Sequence, residues 1–159
     1  MTNQLFVKMA LDSWNSKIND TNRVLGKITD ERLAEEIAPS RNRGIYVLGH
    51  LVSVHDRMLP LLNLGDQMYN DLDEIFLTNP DRSKPHSYSA GELRQRWNEV
   101  NTKLTEKFNS LTEDEWFQKH NAVSAEDFEK EPHRNRLNVL LSRTNHLSYH
   151  HGQLVLMKE

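Results

Sequence analysis

The sequence predicts an all-α protein: a four-helix bundle of the up-down-down-up kind, with a long crossover between the second and third helices. Three observations lead there. Apolar residues recur at helical spacing through four long segments. Glycine and proline number only 6 and 5, too few to punctuate a many-stranded sheet. One connection is long enough to run the length of a bundle, where a hairpin turn needs only a few residues. At 159 residues the chain is expected to form a single domain, 1–159, around one core.

The first helix is expected over residues 3–29, where Val7, Leu11, Trp14, Ile18, Leu25 and Ile28 form a stripe interrupted only by Thr21. A short segment, Asp30 to Ile37, ends at Pro39, after which Ser40 or Asn42 is placed to cap a second helix running to Leu64. That helix is apolar around most of its circumference, so it should be the most buried element, and Pro60 should kink it or stop it early. From Gly65 to Tyr88 the periodicity fades, leaving a connection of 24 residues with one short helix at Leu72 to Leu77. Ser89 and Glu92 fit a capping box ahead of a third helix over residues 89–110, striped by Leu93, Trp97, Val100, Leu104 and Phe108. Thr112 to Glu115 repeats the capping pattern, but the stretch to Glu131 reads as a second irregular connection. Pro132 suits the first turn of a fourth helix, which Leu137, Leu140, Leu141, Leu147 and Leu154 carry to the C-terminus.

Composition narrows the chemistry. With 20 Lys+Arg against 23 Asp+Glu there is no basic excess to grip a phosphate backbone or an anionic bilayer, so neither nucleic acid nor membrane is expected as a partner. The absence of cysteine excludes a disulfide framework, a thiolate metal site and a cysteine nucleophile together. Met1 to Ala10 lacks the pattern of a signal peptide, and no run of about 18 apolar residues occurs, so the chain is expected in the cytoplasm.

Any metal must therefore sit on His, Asp or Glu, and the 8 histidines are unevenly spread. His146 and His150 are four apart on the fourth helix, which puts both imidazoles on one face, about 6 Å apart. His151 is turned about 100° away and cannot readily join them. A third ligand must come from another helix, and His50 or His55 in the second is the source. His50 lies among Tyr46, Val47 and Val54 and so should be deeper, while His55 begins the charged triplet His-Asp-Arg; His50 is preferred. A histidine on an apolar helix also fits a hydrogen-bonded core residue, and spacing alone leaves both readings open. His86, His120 and His133 read as solvated surface groups.

The stretch Gly49-His50-Leu51-Val52, together with His146-x3-His150-His151-Gly152-Gln153, resembles the DinB-like superfamily, whose signature is a Gly-His in helix two and a late His-x3-His followed closely by Gly-Gln. Trp14-Asn15 and Ile28-Thr29-Asp30-Glu31-Arg32-Leu33 are similar to the family's opening, so the likeness spans most of the chain. It implies the up-down-down-up bundle and a divalent metal ion, nickel or zinc, on His50, His146 and His150. It also implies a homodimer and a metal-dependent enzyme acting on a small molecule. The reaction would be either hydrolysis or transfer dependent on a low-molecular-weight thiol. His151 stands where an arginine is often found, so an anion-binding role at that position is not carried over. Gln153, one turn beyond His150, can hydrogen-bond a ligand or substrate; no residue is assigned as catalytic acid or base. The competing expectations are a non-catalytic metal-binding or stress-related bundle, and a structural bundle whose histidines belong to the core.

Overall fold

Four long helices, here α1 (Thr2–Leu25), α2 (Gly44–Asp56), α3 (Ala90–Ser110) and α4 (Arg136–Val155), carry the fold in a computed structural model that describes residues 2–158. The chain is 65% helical and contains no strand among the described residues. No helix among them is long and apolar enough to cross a membrane.

Each boundary has a local cause. Helix α1 ends at Leu25, ahead of Gly26, and not at residue 29; the Arg94 guanidinium closes this end by donating to the carbonyls of Leu25 at 2.7 Å and Ile28 at 2.6 Å. Thr29 caps the short helix Asp30–Leu33, which inserts the fully buried Leu33. Neither Ser40 nor Asn42 caps α2. That position falls to Arg43, whose guanidinium has no acceptor to offer the first-turn N–H groups and instead donates to Asp81. Helix α2 also stops at Asp56 instead of reaching Leu64: Pro60 has no N–H to donate to the Asp56 carbonyl, so the chain breaks at Arg57 and resumes for one turn, Met58–Leu61. Capping boxes form at Ser89 with Glu92 and at Thr112 with Glu115. The second irregular connection contains two short helices, Glu113–Trp116 and Ala125–Lys130. Pro132 lies outside α4, whose cap is Asn135, accepting from the Asn138 N–H at 2.9 Å.

The crossover between α2 and α3 is tied down along its length. Asp56, fully buried, accepts from the backbone N–H groups of Met68 and Tyr69 at 2.9 and 2.8 Å. A 3-10 turn, Asn70–Leu72, runs straight into the short helix Asp73–Phe76. At the other end of α2, the Tyr46 hydroxyl donates to the Asn79 carbonyl at 2.7 Å, and Arg43 holds Asp81 through Nη2 at 2.6 Å and its backbone N–H at 2.8 Å. The Asp81 side chain is only 6% exposed. Burial alone would raise its carboxyl pKa, but the Arg43 bonds outweigh that and hold it below the usual range.

Helix α1 packs chiefly on α4, and α2 on α3. The core these faces enclose includes Trp14, Leu48, Leu51, Trp97, Leu104, Leu140 and Leu147, each at most 2% exposed. Across the helices, Trp97 Nε1 donates to Asn22 Oδ1 at 2.7 Å, Trp14 meets Phe108 with ring centroids 6.0 Å apart, and Thr21 approaches His151.

Candidate metal centre

The half-buried faces of α2 and α4 meet at three imidazoles. His146 and His150 lie one turn apart on α4 and His50 projects from α2; one ring nitrogen from each falls within 4.8 Å of the others, and no carboxylate belongs to the group. His146 Nε2 is 3.2 Å from His50 Nε2 and 3.2 Å from His150 Nε2.

The second nitrogen of each ring decides what the first can do. His50 Nδ1 donates to the Phe76 carbonyl at 2.9 Å, which leaves its Nε2 as a lone pair. His150 Nδ1 donates to Gln153 Oε1 at 2.7 Å, while the Gln153 amide donates to the Tyr149 hydroxyl at 3.3 Å and so fixes which end faces the imidazole. Two lone pairs therefore face His146 Nε2, which has at most one proton to share between them. A small divalent ion resolves this: two nitrogens bound tetrahedrally at 2.0–2.1 Å lie about 3.3 Å apart, close to the spacing seen. His146 Nδ1 is buried and has no partner among the described residues.

Electrostatics keep the rings in the form a metal needs. Burial, reinforced by His150 and His50, pushes His146 down to about 4. Burial also lowers His50 and His150, against the opposing hydrogen bonds from Phe76 and Gln153. All three are neutral at neutral pH.

The Gly-His pair has a steric basis. A Cβ on Gly49 would fall 2.5 Å from the Phe76 ring, so only glycine lets that ring lie on α2 and bring its carbonyl to His50. Gly152 differs: nothing lies within 4 Å of where its Cβ would be. In the Gly-Gln pair the contact with the site comes from Gln153.

The other histidines divide as follows. His55 is fully buried between Trp14 and Trp97, each ring 4.8 Å away, and donates from Nδ1 to Asn101 Oδ1 at 2.8 Å. The order of depth is the reverse of the expected one: His55 points into the bundle, and His50, half-buried, lies at its half-open face. His151 leaves the cluster and donates to Thr21 Oγ1 at 3.3 Å, the Thr21 hydroxyl having given its own proton to the Lys17 carbonyl. His86 is not a solvated group: the crossover folds it against Phe76, with its Nδ1 buried. His120 is half-buried, and His133 is exposed.

Two contributors escaped the sequence reading. Phe76 acts through a backbone carbonyl 26 residues from His50, which no residue type announces. Arg143, whose charge disfavours protonation of His50 and His146, lies three residues before His146 on the same stripe of α4, a spacing that the sequence does display.

A family profile described as the DinB superfamily matches residues 14–154. Among curated proteins nothing matches. Among solved structures, a crystal structure described as a conserved protein of locus from Enterococcus faecalis superposes with a TM-score of 0.65 at 15% identity, covering 94% of this chain and 93% of that one. At that identity the likeness speaks for the fold, while the profile spans nearly the whole chain and both histidine motifs. The chain belongs to the DinB superfamily.

Proposed function

We propose that His50, His146 and His150 bind one divalent ion, zinc or nickel, and that the protein is a metal-dependent enzyme, a thiol-dependent transferase or a hydrolase. The observation that supports this best is the convergence of three Nε2 atoms, two of them held as lone pairs by Phe76 and Gln153, with no carboxylate among them. A divalent ion there supplies Lewis acidity sufficient to activate water or a thiol near neutral pH, provided a coordination position stays open. The half-exposure of the three rings is consistent with access from solvent. Phe76 and Gln153 orient two of the rings, and the buried wall behind them excludes water from one side. With no cysteine in the chain, any thiol arrives as a cosubstrate.

The same reading includes the up-down-down-up order. Its support is the pattern of pairings: Thr21 with His151 runs in the same sense along α1 and α4, while Asn22 with Trp97 and Trp14 with Phe108 run oppositely along α1 and α3. Gly44 beside Met157 and His50 beside His146 run oppositely along α2 and α4. The crossover pinned from Asp56 back to Arg43 returns the chain to the start of α2 before α3 begins. The reading also includes a homodimer, for which exposed Phe6, Met9 and Leu141 around one apolar groove offer a face.

The test is activity of zinc-loaded, nickel-loaded and metal-free protein on thiol-conjugation, ester and amide substrates. Turnover that requires the ion and vanishes in His50→Ala supports the enzyme. Stoichiometric metal without turnover on any of these substrates favours the non-catalytic metal-binding bundle.

A further inference from the structure

We propose that Arg143 binds the carboxylate of a small anionic substrate beside the three-histidine cluster. This deepens the functional reading above, on which the position of the reacting group rests.

Arg143, His146 and His150 occupy one stripe of α4, and all three are half-buried. Arginine in such a position normally has an acid, a carbonyl or an aromatic face as partner. Arg143 has neither an ion pair, a hydrogen bond nor a ring beneath it among the described residues, and its Nε is buried without an acceptor. By contrast Arg43, Arg57, Arg82, Arg94 and Arg96 all have carboxylate partners. Leaving a guanidinium half-desolvated and unpaired is unfavourable unless something else pairs with it.

The surroundings add to the positive potential. The charge of Arg143 reaches His50, His55 and His146 and disfavours protonation of each. No carboxylate joins the cluster to offset it, and an ion on the histidines would add two further positive charges. A half-open, uncompensated cationic site selects for an anion.

The chemistry of the donor favours carboxylate over phosphate. With Nε covered, the guanidinium offers the end that carries its two Nη groups, which suits a flat, singly charged oxyanion. Arg143 is the one arginine or lysine among the described residues whose charge is felt at His50 and His146, and none is felt at His150, so a phosphate dianion would be left short of donors. Three residues, about 4.5 Å of rise, separate Arg143 from His146 on one face of α4, so one small molecule can carry both the carboxylate and the reacting group.

Benzoate is the probe, followed by calorimetry or saturation-transfer NMR on zinc-loaded and metal-free protein, with methyl benzoate and inorganic phosphate as comparators. Wild type should bind benzoate at millimolar concentration and ignore methyl benzoate. Affinity should fall by about tenfold or more in R143Q, and by less in R143K, which keeps the charge without the fork. Zinc content and melting temperature should stay at wild-type values in both variants. If R143Q does not fold, reduced benzoate affinity in a folded R143K supports the proposal and unchanged affinity overturns it. Equal benzoate affinity in R143Q and wild type, or no binding to wild type, also overturns it. Phosphate binding more tightly than benzoate, in an Arg143-dependent way, would overturn the carboxylate assignment. If wild type holds no zinc, Arg143-dependent benzoate binding to the metal-free protein still supports this site while the metal reading fails.

Discussion

His50 and His55 sit on the same helix, five residues apart, and the bundle gives them different chemistry. His55 is enclosed by Trp14 and Trp97, satisfied on one side by Asn101, and driven by burial down to about 3. His50 keeps one edge in the protein, on the Phe76 carbonyl, and presents the other to His146 and His150 at a half-open face. An imidazole with no room around it can contribute to packing, whereas one with a lone pair aimed at a shared, accessible point can bind an ion. Depth in the core therefore argues against a ligand role, since a reactive metal site needs an open side.

Removing each of the two rings in turn should produce the largest effects. His55→Ala removes a ring between two tryptophans and strands the Asn101 carbonyl; we expect about 3 kcal/mol less stability by chemical denaturation, with the metal-to-protein ratio of the folded fraction unchanged. His50→Ala should lose the metal while the metal-free protein stays within about 1 kcal/mol of wild type.

Acid sharpens the contrast in the metal-free protein. Well above pH 6.5, the ordinary value for histidine, His55 is neutral whether the chain is folded or not, and it adds nothing to the pH dependence. As pH falls below that value the unfolded chain takes up a proton that the folded chain refuses until about 3, so stability declines through this window. The loss should reach roughly 2–3 kcal/mol near pH about 4.5, and His55→Ala should flatten the slope measured by denaturant titration. His146, lowered in the same direction but half-exposed, adds a smaller part.

Chelation addresses the other half of the comparison. A bound ion links α2 to α4 and stabilises by mass action, about 2.7 kcal/mol at a hundredfold excess over its Kd. Removing it should lower Tm yet leave the helical circular dichroism intact, because the apolar core does not depend on it. A smaller effect is expected at Gln153. Its replacement by alanine frees His150 Nδ1 and should weaken metal binding by about tenfold, whereas His151→Ala, whose ring turns to Thr21, should leave affinity unchanged in the same titration.

The sequence discloses most of this, unevenly. Helical periodicity marks the four long helices, and the capping boxes at Ser89 and Thr112 lie where hydroxyl and glutamate stand three apart. The start of α2 is hidden because Arg43 is held by Asp81, 38 residues away, and no local rule anticipates that bond. The same holds at the site. The spacing of His146 and His150 is local and visible. The choice between His50 and His55 depends on which side of α2 faces the interior, and an almost wholly apolar helix conceals that.

The most direct measurement is the metal-to-protein ratio, by mass spectrometry, of wild type and of His50→Ala, His146→Ala, His150→Ala and His55→Ala. One ion per chain in wild type and in the His55 variant, with loss in the other three, is the predicted result. Retention in all four variants, or loss in the His55 variant with retention in the His50 variant, would contradict the assignment of the centre.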